Sequence, residues 1–256
     1  MKFLTTAVFL FLAVLTGTAG NAAAGTLRIA DGTGGMNLNA LAFAAAAISG
    51  EGSEITIRKM SAAEALRLLR EKQVEMAIVA RKDIPGSYSG TAIYPYAQAA
   101  LFFSVAAGLG NPLRSLTLAE LQQLWSAPRP VWKHNGIDIQ RIAVCNPMLE
   151  KRFFQPAKEI YRPAGHKSYI PNTAMLCCSD EPYMTNSRNF VKIDGVYPSP
   201  ENIRNRTYPL TVDFVLVTIG KPVPLAAQLI AALRHRKVRQ LLRDAGFFPP
   251  PLQERK

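Results

Sequence analysis

The feature of this sequence that most restricts its fold is a regular alternation of strand-like and helix-like segments between residues 26 and 80. The strand-like segments are 26–31 (TLRIAD), 54–60 (EITIRKM) and 75–80 (EMAIVA). Between them lie an Ala-rich segment over 36–48 and a segment in which Ala62, Leu66 and Leu69 recur at helical spacing. Because parallel strands need crossover connections, this order predicts an α/β fold with a parallel sheet and helices on both faces.

The rest of the chain continues the pattern less regularly. Segment 84–96 is rich in Pro, Gly and Tyr and is interpreted as a boundary between two lobes. The later strands are expected at 99–107, 139–145 and 210–218, and a long final helix at 225–244. Capping boxes, Ser61-x-x-Glu64 and Thr117-x-x-Glu120, predict the starts of two helices.

The first 24 residues have the organisation of a secretory signal peptide. Lys2 supplies a positive charge, an apolar run extends from Phe3 to Leu15, and small residues follow up to Ala24. The run is shorter than the ~20 residues that a membrane helix needs. We therefore expect cleavage before Gly25, with cleavage after Ala19 or Ala22 as alternatives, and a periplasmic or secreted mature chain without membrane insertion. An uncleaved N-terminal anchor is the other alternative.

Charge and cysteine content narrow the function classes. The 30 Lys and Arg residues against 18 Asp and Glu give a formal net charge of +12, and 48% of residues are hydrophobic, which is a globular composition. A basic excess suits nucleic acid, an anionic membrane or a small anionic ligand, but no nucleic-acid-binding motif is present. Export permits a disulfide from Cys145 to Cys177 or Cys178, and three buried thiols are the alternative.

Candidate hydrogen-bond donors lie after the first strand, at the start of the second helix and after the third strand. Gly32, Thr33 and Gly34 form a turn before a helix N-terminus, Ser61 opens the second helix, and Arg81 follows the third strand. Ligands of open α/β sheets bind beyond the carboxyl ends of the strands, and helix N-termini favour anions. These residues are candidate ligands of an oxyanion or carboxylate. A plain turn and a plain helix cap are the alternatives.

The C-terminal region is strongly basic. From Glu201 to Lys256 there are 10 basic and 4 acidic residues, concentrated on the last helix. A solvated outer face or a docking face for an acidic partner both fit this pattern. The sequence contains no catalytic motif and no metal-ligand spacing, so we expect neither an enzyme nor a metal or other cofactor.

Three segments together resemble the periplasmic phosphate-binding proteins of ABC transporters. They are 61–81, 113–125 (LRSLTLAELQQLW) and 191–210 (VKIDGVYPSPENIRNRTYPL). The resemblance implies a two-lobed type II periplasmic binding protein fold, each lobe a mostly parallel sheet flanked by helices. The first lobe would comprise 25–95 and 206–256, and the second 96–205. Thr33, Ser61 and Arg81 match positions at which that family binds its oxyanion.

The resemblance implies a monomer that captures phosphate or a related oxyanion between its lobes for an ABC transporter permease. The chain departs from the family after the middle strand, where Asn146 stands in a segment without the family's Ser-Gly-Thr, and at Ala80, which replaces a serine. Asn146 is included as a candidate ligand residue. These departures leave a second interpretation, an envelope interaction or sensing module with a degenerate ligand site.

Overall fold

The structure, a computed structural model, describes most of the chain after the proposed signal peptide. The described residues are 25–34, 38–50, 52–86, 88–105, 113–126, 131–134, 137–143, 149, 152–154, 173–179 and 190–250. The signal peptide expected over 1–24 lies outside them, as do Cys145 and Asn146. No helix within the described ranges has the length and apolar character required to cross a membrane.

Strands and helices alternate along the described chain. The strands are β1 (Gly25–Asp31), β2 (Ser53–Lys59), β3 (Met76–Ala80), β4 (Thr91–Ala100), β5 (Phe102–Val105), β6 (Ser115–Leu116), β7 (Val131–His134), β8 (Ile137–Ala143), β9 (Thr173–Ser179), β10 (Lys192–Ile193) and β11 (Thr211–Ile219). The helices are α1 (Leu38–Ile48), α2 (Ala62–Arg70), α3 (Leu118–Ser126), α4 (Pro200–Arg204), α5 (Pro224–Ala232) and α6 (Arg236–Asp244). A short 3-10 turn over Arg81–Asp83 follows β3.

The strands form three sheets, and they confirm the α/β class. The largest has the order β2-β1-β3-β11-β4, and β1 runs parallel to both β2 and β3. The second has the order β5-β9-β8-β7 and is mixed, since β8 and β9 are parallel while β5–β9 and β7–β8 are antiparallel. Strands β6 and β10 form a small parallel pair. The strands β1, β2 and β3 are therefore parallel, as the sequence predicts, and the second sheet carries antiparallel edge strands.

The chain divides into two compact units. The first comprises residues up to 79, 83–94 and 216–239, and the second 80–82, 95–215 and 240–256. In the first unit, α1 packs against α5, and both α2 and α5 contact β1. The lobe bounds given by the sequence resemblance stay a prediction.

Aromatic rings form the centre of the second unit. Phe103 meets Trp125 edge-on at 5.0 Å between ring centroids, and Phe154 packs against both rings. Phe102 contacts Phe190 at 5.7 Å. Edge-to-face and tilted ring pairs add stability beyond the area they bury, about 0.5–1.5 kcal/mol each. Most apolar residues of the resemblance segment 113–125 are core residues, namely Leu113, Leu116, Leu121, Leu124 and Trp125.

The segment 191–210 closes this unit through polar contacts. Asp194 adopts φ 51°, in the left-handed region that asparagine and aspartate tolerate, and its Oδ1 accepts a hydrogen bond from the Leu118 N–H at 2.9 Å. Thr117 and Glu120 form the predicted capping box, because each backbone N–H donates to the other's side chain. The start of α3 is therefore capped from its own sequence and from the return segment.

The final helix predicted over 225–244 is wrong as one element, because the structure has α5 and α6 with a turn between them. Arg234 and His235 donate their N–H groups to the carbonyls of Ala231 and Ala232, three residues back, which tightens and ends α5. The physical reason is the run of polar side chains over 234–237, which supplies no apolar residue to hold a continuous helix on the core.

The strand predicted over 99–107 is also divided and begins earlier, as β4 from Thr91 and β5 from Phe102. Leu101 separates them, since its N–H donates to the Leu210 carbonyl and its own carbonyl accepts from the Tyr208 hydroxyl at 2.9 Å. Pro95, which favoured a loop in the sequence, is tolerated inside β4 at an exposed position.

Candidate functional site

The turn after β1 carries a buried carboxylate. Asp31 is only 1% exposed, and its Oδ1 accepts hydrogen bonds from both the Thr33 N–H (2.9 Å) and the Thr33 hydroxyl (2.6 Å). This is the local side-chain bonding that lets Asp nucleate turns at strand ends. Both of these Thr33 donors, expected to face an anion, are therefore engaged with a carboxylate of the same turn.

The second oxygen of Asp31 is the unusual atom of this turn. Its Oδ2 is buried and accepts no hydrogen bond from any residue that the structure describes. A buried acceptor without a partner is costly, about 1–3 kcal/mol. The turn therefore holds an unused acceptor and a negative charge where the sequence had indicated only donors. Asp31 was not among the predicted site residues, although an Asp immediately before Gly-Thr-Gly at a strand end is a readable signal for such a turn.

Gly32 brings this turn against the start of α2 within the first unit. A Cβ atom on Gly32 would lie 2.7 Å from the Ala62 Cα and 3.0 Å from a Val79 methyl group. The Gly32 N–H donates to the Ile78 carbonyl at 2.8 Å, and the Met60 N–H donates to the Asp31 carbonyl at 2.9 Å. The close approach requires glycine, and it places the β1 turn beside the N-terminus of α2.

Ser61 caps α2, as its capping-box pattern predicts. Its Oγ accepts a hydrogen bond from the Glu64 N–H at 3.2 Å, and its backbone has the extended conformation of an N-cap. The Glu64 side chain pairs with Arg67 at 2.7 Å. Because a hydroxyl both donates and accepts, the cap uses an acceptor lone pair of Ser61 and leaves its O–H able to donate. Ser61 is exposed, so a ligand can reach that hydrogen.

Arg81 lies in the second unit, on the 3-10 turn that follows β3. Its side chain is exposed and makes no hydrogen bond or ion pair with any described residue. It lines a cavity of about 290 Å³. The other lining residues are Lys82, Arg206, Tyr208, Pro209, Thr211, Val212 and Asp213.

The cavity is positively charged overall, since three cations and one carboxylate line it. The carboxylate of Asp213 is already satisfied, because its Oδ2 pairs with Arg206 Nε at 2.6 Å and its Oδ1 accepts from Gln98 at 2.9 Å. The Lys82 ammonium donates to the Arg152 carbonyl at 3.0 Å. Arg81 is thus a cation of this lining that pairs with no described acidic side chain.

Sequence reasoning missed the cavity apart from Arg81. Arg206, Thr211 and Asp213 are about 130 residues beyond Arg81 in the chain, and no local pattern links them. The buried Thr211 Oγ1 has no hydrogen-bond partner within the described ranges. The sequence does not show whether the hydroxyl of a strand threonine finds a partner, because the partner would come from neighbouring strands.

The sequence-predicted residues are therefore distributed as follows. Gly32, Thr33 and Ser61 are brought together in the first unit, Gly34 is an exposed turn residue at φ 81°, and Arg81 belongs to the second unit. Asn146 lies outside the described residues. Their roles in ligand binding stay predictions. Within the described part of the chain, no group of three or more His, Cys, Asp or Glu side chains is arranged to hold a metal ion.

Solved structures of other proteins share the fold of this chain. No protein-family profile matches the chain, and no protein of curated function matches it in sequence. Its fold is similar to that of three solved proteins, and each likeness spans nearly the whole of both chains. A possible phosphate binding protein from Planctomyces limnophilus is 16% identical with a TM-score of 0.66, over 89% of this chain and 94% of that one.

The second is an ABC-type phosphate transport receptor from Vibrio cholerae, 14% identical with a TM-score of 0.64, over 88% of this chain and 100% of that one. The third is PstS from Borrelia burgdorferi, 18% identical with a TM-score of 0.63, over 88% and 99%. At these identities the likeness establishes the fold. It confirms the fold that the sequence resemblance implied, that of phosphate-binding proteins of ABC transporters.

Proposed function

We propose that this chain is an exported solute-binding protein that captures a small anion, phosphate or a related oxyanion, for an ABC transporter. The shared fold supports a solute-binding role. The observation that carries the proposal is the uncompensated guanidinium of Arg81 in a basic cavity at the end of β3. This is the edge at which open α/β sheets bind their ligands.

Arginine is suited to this task by its geometry. The planar guanidinium offers parallel N–H donors that match two oxygens of a phosphate or carboxylate, and it stays charged at every physiological pH. Arginines in stable internal ion pairs gain little by binding a ligand, because they must first give up a partner. Arg81 has no such partner among the described residues, so its donors are available to a ligand.

The Ser61 hydroxyl is the proposed ligand donor of the first unit. Its capping bond to the Glu64 N–H fixes the position of Oγ, so the hydroxyl hydrogen can be presented to an oxyanion without losing the cap. Thr33 is a weaker donor than the sequence alone indicates, because Asp31 accepts its N–H and its hydroxyl. We assign Thr33 the role of shaping the turn through Asp31.

Isothermal titration of the chain from Gly25 onwards tests the proposal. The ligands are phosphate, sulfate, molybdate and acetate, with Arg81→Ala as the variant. We expect saturable binding of at least one anion and about a hundredfold weaker binding after Arg81→Ala, since a charge-assisted bidentate contact is lost. Arg70→Ala is the matched control, because Arg70 is an exposed arginine at the end of α2 without a described ion pair.

The two variants separate a site from a general charge effect. Arg70→Ala is expected to bind as the parent chain does. Equal losses in both variants would mean that net charge, and not Arg81, governs binding. If none of the four anions gives heat or a thermal shift, the proposed function is wrong.

A second candidate is an envelope interaction module on the same fold. It is favoured by Arg234 and Arg236, which are exposed and make no ion pair with described residues, and by the absence of any acidic residue in the first turn of α6. Basic residues at a helix N-terminus oppose the helix dipole. Reversing both charges to Glu would abolish co-purification of an envelope partner in this case and leave anion binding unchanged.

A further inference from the structure

We infer that the cavity around Arg81 takes an organic dianion, a small phosphate monoester or phosphonate, in preference to a bare inorganic oxyanion. The inference rests on the proposed function and names the ligand class of the same arginine. It is carried by four properties of the cavity in the second unit: its volume, its charge, its buried hydroxyl and its apolar wall.

The volume exceeds what an inorganic anion fills. A tetrahedral oxyanion occupies about the space of two or three waters, at about 30 Å³ each. The cavity measures about 290 Å³, close to the roughly 300 Å³ at which pockets for small organic molecules begin. An inorganic phosphate seated on Arg81 would leave most of this space to solvent, whereas a three- or four-carbon ester would occupy it.

The charge of the lining favours a dianion. Arg81, Lys82 and Arg206 contribute three positive charges, and Asp213 contributes one negative charge. A phosphate monoester carries a charge of about −2 near neutral pH, because its second pKa is near 6. Such a ligand neutralises the cavity, while a monocarboxylate would leave it positively charged. Arg206 is held in this lining by its ion pair with Asp213, despite a left-handed backbone at φ 65°.

The hydroxyl of Thr211 supplies a specific contact. Thr211 lines the cavity at the first residue of β11, and its buried Oγ1 has no hydrogen-bond partner among the described residues. Buried hydroxyls in native proteins are almost always paired, so an unpaired one beside a cavity indicates a group that completes it. Because Oγ1 is buried in the unliganded chain, an oxygen of a seated ligand would accept this hydrogen after the Thr211 side chain turns toward the cavity.

The remaining wall is apolar and fixed. Tyr208 is fully buried, and its hydroxyl donates to the Leu101 carbonyl at 2.9 Å. Its one hydroxyl hydrogen is therefore not available to a ligand. Pro209 has no N–H to offer, and Val212 is buried. The accessible part of this wall, at Pro209, can contact a carbon body, and the wall gives no hydrogen bond to further phosphate oxygens. The arrangement fits an anionic head on a short organic chain.

The test compares ligands that share a head or a body. Titration of the chain from Gly25 onwards with inorganic phosphate, methylphosphonate, glycerol 3-phosphate and glycerol separates the two contributions. We expect glycerol 3-phosphate to bind about tenfold or more tightly than inorganic phosphate, since the body fills apolar space, and glycerol alone to give no heat.

Thr211→Val isolates the hydroxyl with little change in volume. We expect it to weaken glycerol 3-phosphate binding about tenfold while leaving the unliganded melting temperature unchanged or raised, because it removes an unsatisfied buried group. Thr56→Val is the matched control, a half-buried strand threonine in β2 of the first unit, and it should leave the affinity unchanged. Misfolding would lower both the affinity and the melting temperature, so weaker binding with an unchanged or raised melting temperature indicates a lost ligand contact.

The outcomes separate this inference from the proposed function. If inorganic phosphate binds as tightly as its esters and Arg81→Ala abolishes that binding, the inference is overturned and the proposed function stands. If no anion binds, both fail. If Thr211→Val leaves ester binding unchanged, the cavity next to Thr211 is not the seat of the ligand and the inference is overturned.

Discussion

Thr33 donates both its backbone N–H and its hydroxyl to one carboxylate oxygen of Asp31, at 2.9 and 2.6 Å. The turn after β1 therefore contains its own anion. In a chain with a formal net charge of +12, the one carboxylate buried among the described residues occupies the position where donors alone were expected. The local stability of this turn and its capacity for a ligand both depend on that carboxylate.

Replacing Asp31 should destabilise the chain in a graded way. Asp31→Ala leaves both Thr33 donors without their acceptor, and we expect a loss of about 2–3 kcal/mol in the free energy of unfolding. Asp31→Asn retains an oxygen at the Oδ1 position, so its loss should be smaller. Urea unfolding at neutral pH measures both. Equal losses would contradict the view that the Thr33 bonds, and not the charge, stabilise the turn.

Gly32→Ala should destabilise the first unit for a steric reason. The added Cβ would lie 2.7 Å from the Ala62 Cα, and backbone cannot move aside cheaply, so we expect a loss of about 1–3 kcal/mol. Gly86→Ala is the control, since nothing lies within 4 Å of a Cβ there. We expect its unfolding free energy to stay within about 0.5 kcal/mol of the parent value. A stable Gly32→Ala variant would show that α2 can shift at its N-terminus.

Ser61→Asp separates the cap from ligand binding. Aspartate is as good an N-cap as serine, so the free energy of unfolding should change by less than about 0.5 kcal/mol. Its negative charge would repel an oxyanion, and we expect at least about tenfold weaker anion binding. Ser199→Asp is the matched control at the start of α4, where Ser199 accepts from the Asn202 N–H at 3.1 Å.

In the Ser199 variant, both stability and affinity should be retained. Retained affinity in Ser61→Asp as well would remove Ser61 from the set of ligand residues and leave it as a helix cap. A loss of affinity in both variants would point to added negative charge anywhere on the surface as the cause.

Acid should weaken the fold in part through Glu75. Partial burial raises the pKa of this carboxyl, but hydrogen bonds from the Arg28 side chain and backbone, and its positive charge, outweigh burial and hold the pKa below its ordinary value of 4.5. A carboxyl with a depressed folded-state pKa contributes stability above the unfolded-state pKa and loses it as pH falls through the folded-state value.

We therefore expect urea midpoints to fall with decreasing pH below about 4.5, and to fall less steeply in Glu75→Gln. Arg28→Ala should reduce the same dependence, because the pair needs both partners. A pH profile identical to that of the parent chain in both variants would show that this ion pair does not couple protonation to folding.

Elements determined by neighbouring residues were predictable from the sequence. The three first strands and α2 follow from local hydrophobic periodicity, and the Ser61 cap follows from a four-residue pattern that the structure realises. The likeness of segment 191–210 to phosphate-binding proteins extended the prediction from these elements to the whole fold. In the structure this segment packs within the second unit through specific contacts, such as the hydrogen bond from the Leu118 N–H to Asp194.

Features that depend on distant parts of the chain were not predictable. The break between α5 and α6 was not predicted because Leu225, Leu229, Leu233 and Leu241 recur at spacings that fit one continuous helix. The separation of β4 from β5 depends on Tyr208 and Leu210, more than a hundred residues later. The buried Oδ2 of Asp31 and the unpaired Thr211 hydroxyl are properties of surroundings, which no single-chain pattern encodes.

The hydrogen bond from the Leu118 N–H to Asp194 joins residues that are synthesised at different times. Glu120 can complete its capping box with Thr117 as soon as that short stretch leaves the ribosome. The acceptor for Leu118 is 76 residues further along the chain. At the roughly 5–20 residues per second of translation, that acceptor arrives about 4–15 s later. The nine residues of α3 are too few for a stable helix in isolation, so α3 and its first turn are completed only when the late-arriving segment docks.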